Sequence, residues 1–164
     1  MILLFYSFSF SVFSQECNKL TPRYTPTKNF KIQQNKQLVL DKKTGLIWQR
    51  CSLGLSLVKG HCTGNIKKYT IEKAKKAAKL SHLAGFKDWR VPTIKELASI
   101  AELACFKPAI NTTIFPNTNT LEYYWSSSPY VGASFDAWSI DFYYGYGSRE
   151  RSSELFARLV RVGQ

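Results

Sequence analysis

Apolar positions along this chain change their spacing several times, and each change marks an element. The opening fourteen residues, MILLFYSFSFSVFS, carry no charge and no period. Residues 15–36 are polar and broken by Pro22 and Pro26, which reads as a loosely packed arm. The stretch QLVLDKKTGLIWQR follows, with β-rich runs at 37–40 and 46–50 around a turn in which Gly45 can take the positive φ of a tight reversal. That is a hairpin pattern. CSLGLSLVKGHCTGN, 51–65, is a Gly-rich loop bounded by cysteines. Helical spacing then takes over: Ile71, Ala74, Ala77, Ala78 and Leu80 share a face of a helix over 70–82, with Thr70 as N-cap and Glu72 at the positive end of the dipole.

A second helix is written into DWRVPTIKEL, 88–97. Pro92 disfavours the helical region for Val91, so 88–91 is extended, while Thr93 and Glu96 have the spacing of a reciprocal capping box. Ile94, Leu97, Ala98, Ala101 and Ala104 carry the apolar face of a helix over 93–105. Beyond a polar loop the chain is rich in aromatics and β-formers: YYWSSSPY gives a strand and turn, DAWSIDFYYGYGS alternates Trp138, Ile140, Phe142 and Tyr144 against Ser139, Asp141 and Tyr143, and LFARLVRVGQ closes with a strand. Two helices followed by an antiparallel β-rich half predict an α+β fold.

The 164 residues, 45% apolar and 21% charged, suit one folded domain. The initial apolar run is too short to span a bilayer but fits a secretory signal over 1–14, with Val12 and Ser14 at the small-residue cleavage positions. The organisation expected is therefore signal 1–14, arm 15–36 and domain 37–164, exported to the periplasm or the cell surface and not transmembrane once the signal is removed. Export makes the even set Cys17, Cys51, Cys62 and Cys105 a disulfide framework. Three pairings are open; one joins Cys51 to Cys62 and Cys17 to Cys105.

Lysine and arginine number 23 against 11 acidic residues, a formal charge of +12 that attracts polyanions and weakens with salt. The densest basic run is Lys73, Lys75, Lys76 and Lys79, with Lys67 and Lys68 upstream. Catalytic chemistry has little footing. His61 and His82 are the only histidines and neither lies near a nucleophile motif. Asp136 and Asp141 face opposite ways on a continuous strand. P-loop, GxSxG and Rossmann signatures are absent, as are the Glu-Pro-Asn and Gln-Pro-Asp triplets of calcium-dependent lectins. No cofactor or metal is expected. Binding remains: Tyr130, Tyr143, Tyr144 and Tyr146 accompany Arg149 and Arg151, flat faces for sugar rings beside forks for sulfate or carboxylate. The sites so marked are Tyr130, Tyr143, Tyr146, Arg149, Arg151 and the four lysines, with Trp125 and Trp138 as core and Trp48 and Trp89 as structural residues.

Six segments, DKKTGLIWQRC, the Cys51 to Cys62 loop, AGFKDWRVPTIKEL, YYWSSSPY, AWSIDF and RLVRVGQ, resemble in the same order the Lcl C-terminal domain, a family of exported bacterial domains named for a collagen-like adhesin. The resemblance covers about residues 37–164. It implies a C-type-lectin-like fold whose first and last strands pair, and, since the family's named member attaches to sulfated glycosaminoglycans, a non-catalytic module for acidic polysaccharide or another cell-surface ligand. The collagen-like stalk is missing here. An envelope or pilus component contacting protein is the alternative, and no specific nucleic acid is expected. Arg90, Pro92, Thr93 and Glu96 also resemble the R-x-P-T-x-x-E junction of formylglycine-generating enzymes, whose catalytic segment this chain lacks. With Trp89 they read as framework.

Overall fold

The structure is a computed structural model that describes residues 15–131, 136–151 and 154–163, without the side chains of Asp136, Glu150 and Arg151; the segment 1–14 lies outside the described residues. In chain order its strands and helices are β1 Glu16–Cys17, β2 Phe30–Ile32, β3 Leu38–Asp41, β4 Leu46–Gln49, β5 Ser56–Val58, β6 His61–Thr63, α1 Ile71–Lys79 and α2 Ile94–Ser99. They continue with β7 Cys105–Phe106, β8 Tyr124–Pro129, β9 Asp136–Ile140, β10 Gly147–Arg151 and β11 Val160–Val162. The fold is α+β with two α-helices among the described residues, and every paired strand is antiparallel.

β3 and β4 form the hairpin, closed by Asp41, whose carboxylate accepts the Lys43 N–H at 2.9 Å and the Thr44 hydroxyl at 2.7 Å, with Gly45 at φ +73°. The sheet runs β11-β4-β3-β2. The last strand therefore lies on β4, the second strand of the hairpin, because β2 holds the outer edge of β3. This departs from the pairing of the domain's first and last strands. β2 comes from the segment read as a loose arm, which is docked at three places: Phe30 is buried, β1 pairs with β7, and the buried Glu102 carboxylate accepts the Tyr24 and Thr25 N–H groups and the Thr25 hydroxyl at 2.9–3.1 Å. Proline breaks regular structure in that segment but not its attachment.

α1 carries the expected cap, Thr70 accepting from the Lys73 N–H, and ends at Lys79, three residues short of the expected end, because Ala84 (φ +55°) and Gly85 (φ +81°) turn the chain sharply after His82. α2 is far shorter than the apolar period suggests. After Ile100 the backbone leaves the helix so that Ala101 can bridge Ile110, Glu102 can receive the arm, and Cys105 can reach Cys17. Ala101 and Ala104 are still buried, though from an irregular segment: tertiary bonds outweigh local propensity here. The loop 51–65 likewise contains a small hairpin, β5 with β6, spanned by the Cys51–Cys62 disulfide.

Neighbouring residues of the four-stranded sheet enter different cores. Leu38 and Ile47 pack with α1, Trp89 and Trp125; Val39 and Trp48 pack with Leu97, Phe115, Tyr124 and Phe142. The sheet is thus covered on both faces, as its unbroken apolar runs require. Two buried guanidinium groups hold the loops around it: Arg50 donates to the Lys36, Thr113 and Ile114 carbonyls at 2.8–2.9 Å, and Arg158 donates to the Arg50 carbonyl and the Thr118 hydroxyl over the ring of Phe115. Burial lowers the pKa of Arg158 to about 10, which leaves it charged at neutral pH.

The junction 88–96 joins this sheet to the three-stranded sheet β10-β9-β8. Arg90 and Val160 exchange backbone hydrogen bonds at 3.0 Å; the Pro92 carbonyl accepts from Ser127 at 2.7 Å, and the Ser128 hydroxyl from the Ile94 N–H at 3.0 Å. Asp88 holds Arg161 at 2.8 Å, and the Trp89 indole donates to the Leu83 carbonyl. Thr93 and Glu96 form both halves of the capping box, and Glu96 also takes the Arg90 fork at 2.6 and 2.7 Å. The Arg90 hydrogen bonds hold the Glu96 carboxyl down at about 2 against a usual 4.5. A depressed carboxyl stabilises the fold fully above its unfolded pKa and loses that contribution as pH falls through the folded one. Urea unfolding of Glu96→Gln at neutral pH is expected to show a loss of about 1–3 kcal/mol, and its stability should fall less than that of the parent between pH about 4.5 and about 2.

Candidate recognition surface

β9 and β10 are paired in a continuous register, Trp138 opposite Arg149 and Ser139 opposite Ser148, so the side chains of each pair share a face. Ala137 joins the core beneath α1, while Ile140 joins the core beneath α2. Trp138 and Arg149 therefore lie on the α2 side of the sheet. There the Arg149 guanidinium sits over the Tyr130 ring, 4.4 Å from its centroid, and the Tyr130 and Trp138 rings are 5.3 Å apart. A cation and two aromatic faces are thereby assembled at one place on the protein surface.

Trp138 differs from the core role expected of it. Trp48, Trp89 and Trp125 are buried, but Trp138 is only half-buried, because on its face of β9 the main core ends at Ile140. Alternation along the strand marks the face correctly and not where the cover stops. Arg151 ends β10 opposite Asp136; its side chain lies outside the described residues.

Tyr143 and Tyr146 occupy the turn between β9 and β10, away from the Arg149 group. The Asp141 carboxylate accepts the Tyr143 and Tyr144 N–H groups at 2.7 and 3.3 Å, and its own N–H donates to the Tyr146 carbonyl at 2.9 Å. Tyr143 and Tyr144 are edge to face at 4.5 Å; Tyr144 and Tyr146 are near-parallel at 6.2 Å. Phe106 also stacks on Tyr144 at 6.2 Å, and Lys107 lies over the Phe106 and Tyr143 rings. Phe106, Lys107 and Tyr144 belong to this group as fully as Tyr143 and Tyr146. The run YYGYG marks the tyrosines in the sequence, but only β7 brings Phe106 and Lys107 to them.

The lysines form a third group. Ile71, Ala74 and Ala78 of α1 are buried, leaving Lys73, Lys75, Lys76 and Lys79 exposed on its outer side. Lys73 pairs with Glu154 at 3.0 Å, and Lys68 with Glu122 at 2.5 Å; Lys75, Lys76 and Lys79 make no ion pair among the described residues. Because α1 covers the opposite face of the three-stranded sheet from Trp138 and Arg149, the structure does not bring these lysines together with the aromatic group. His61 and His82 are exposed and far apart in the chain, and the described residues contain no group of three or more histidine, cysteine or acidic side chains placed to hold a metal. The Asn111 amide donates to the Thr25 carbonyl and the Thr27 hydroxyl.

The Lcl C-terminal domain family model matches residues 37–161. The chain belongs to the Lcl C-terminal domain family. No match is found among the curated proteins. This is an adhesin-associated family and not a known enzyme family, and the two disulfides, Cys17–Cys105 and Cys51–Cys62, fit an exported Lcl domain. No helix among the described residues is long and apolar enough to cross a membrane.

The different burial of the two tryptophans has a measurable consequence. Trp125→Ala is expected to lower unfolding free energy by about 3–5 kcal/mol, and Trp138→Ala by about 1 kcal/mol. Urea denaturation of both variants checks the ordering; equal losses would place Trp138 in the core.

Proposed function

We propose that this Lcl domain is a non-catalytic recognition module, on a C-type-lectin-like scaffold, that binds acidic or sulfated glycan at the surface of a cell. The observation that carries the reading is the Arg149 guanidinium over the Tyr130 ring beside the half-buried Trp138. A guanidinium placed beside aromatic faces suits the planar oxygens of sulfate and carboxylate. The neighbouring indole and phenol faces suit the apolar side of a sugar ring. The lysines of α1, on the other face of the sheet, contribute a long-range field rather than contact. In a chain of charge +12, such a field raises the encounter rate with polyanions and is screened as salt rises.

Membership of an adhesin-associated family supports this reading. The formylglycine-generating alternative draws no support from the cysteines, all four of which are disulfide-bonded. An envelope component that contacts protein through the same surface is the competing reading, and retention on glycan separates the two.

Heparin chromatography of the oxidised domain is expected to show retention that falls with salt. Arg149→Ala and Tyr130→Ala should each weaken equilibrium binding by about three- to tenfold at fixed salt. Changing Lys73, Lys75, Lys76 and Lys79 together to Ala should chiefly reduce the salt dependence. No retention of the parent protein, or retention indifferent to Arg149 and Tyr130, contradicts the proposal.

A further inference from the structure

Between β7 and the turn that joins β9 to β10 lies a groove of about 240 Å³, lined by Asn18, Leu103, Cys105, Phe106, Tyr144 and Tyr146 among others, none of them charged. Tyr144 is 50% exposed, Tyr146 69% and Leu103 51%, an unusual concentration of open apolar surface for so small an area. The backbone beneath it is tightly held. Gly145 stands at φ +84°, and a Cβ there would come within 2.9 Å of Leu103 and 3.2 Å of Ala109. The turn thus rests directly on the 101–109 segment, with Tyr144 and Tyr146 on either side of the contact. Hydrogen bonds from Lys107 to the Tyr143 carbonyl and from Ala109 to the Phe142 carbonyl, both 2.8 Å, lock the two segments together, and the Cys17–Cys105 disulfide fastens β1 behind them. Rings set out on a rigid base lose little freedom when something lands on them.

The polarity of the groove selects its occupant. The Tyr144 ring is near-parallel to the Phe106 ring and to the Tyr146 ring, each at a centroid spacing of 6.2 Å, and with Leu103 these rings supply an apolar lining. The lining also carries the two tyrosine hydroxyls and the Asn18 amide; the Asn18 side-chain oxygen accepts from the Leu20 N–H, and its NH2 group makes no hydrogen bond within the described residues. Of the cations beside it, Lys107 is offset by Glu16 at 3.4 Å, and Arg23 is engaged in donating to the Cys105 Sγ. A lining of aromatic rings and uncharged hydrogen-bonding groups is the complement of a pyranose, which has a C–H face and a hydroxyl edge. The volume is below the about 300–1,000 Å³ typical of drug-sized sites, so it holds a single ring rather than a length of peptide.

We infer that this groove is a subsite for one uncharged pyranose ring, separate from the cationic group at Arg149. The inference rests on the reading of the domain as a glycan-recognition module and gives that module a second, salt-insensitive contact: an acidic sugar at Arg149 and a neutral one on the tyrosine rings.

The test is NMR titration of the oxidised protein with cellobiose, chitobiose and lactose, followed at the aromatic ring signals in about 0.1 M and about 1 M NaCl. Perturbation of the Phe106, Tyr144 and Tyr146 signals by at least one of the three, alike at both salt concentrations, is expected. Tyr146→Ala should weaken it by about two- to tenfold, and Arg149→Ala should leave it unchanged. Absence of any shift at these rings with all three sugars overturns the inference, as does a groove that responds only to a heparin-derived disaccharide or to a proline-rich peptide. Heparin retention is read separately: retention with a silent groove sinks this subsite alone, and a responsive groove without retention sinks the acidic-glycan reading alone.

Discussion

The junction from Asp88 to Glu96 is the constraint on which the rest of the molecule depends, because it is bonded to both sheets at once. Its Arg90 backbone pairs with the last strand, its Pro92 carbonyl receives β8, and its Asp88 carboxylate holds Arg161. One short segment thus couples two sheets and launches α2. Proline and the capping box make the change from extended chain to helix abrupt, and the Arg90 fork on Glu96 ties the two halves of the segment to each other. This coupling, with the two cores that the sheets share, fixes the three-stranded sheet against the four-stranded one.

That relation decides what surface the protein can offer. α1 lies over one face of the three-stranded sheet and α2 over part of the other, and α2 is only six residues long. Past the cover of the main core the strands continue, leaving Trp138 half-buried with Tyr130 and Arg149 beside it. The truncation of α2 follows from the arm. Glu102 and Cys105 leave the helical path to bind residues 17–25, and the same departure makes β7, which brings Phe106 to the tyrosine turn. The docking of the arm and the exposure of the aromatic surfaces are two results of one deviation from the helix.

Where elements rest on neighbours in sequence, they are readable from sequence. The β3–β4 hairpin has its Gly45, α1 its Thr70, and the start of α2 its Thr93 and Glu96, each a local chemical signal. What long-range partners decide is not readable in this way. Helical spacing continues through Ala101 and Ala104, and nothing in that spacing reveals a carboxylate drawn to Thr25 or a thiol drawn to Cys17. The arm looks unattached because its ties to Glu102 and Cys105 lie more than seventy residues away in the chain. The candidate surface divides along the same line: Tyr143, Tyr146 and Arg149 stand out as a cluster in sequence, whereas their separation into two groups, and the recruitment of Phe106, Lys107 and Trp138, depend on sheet register and on the fold of β7.

The lysine face and the aromatic group lie on opposite sides of one sheet, so attraction and contact are assigned to different places. Photo-crosslinking of a heparin tetrasaccharide to the oxidised protein, mapped by peptide mass spectrometry, tests that assignment most directly. The account predicts crosslinks in the peptides that carry Tyr130, Trp138 and Arg149; crosslinks confined to the α1 peptide would contradict it.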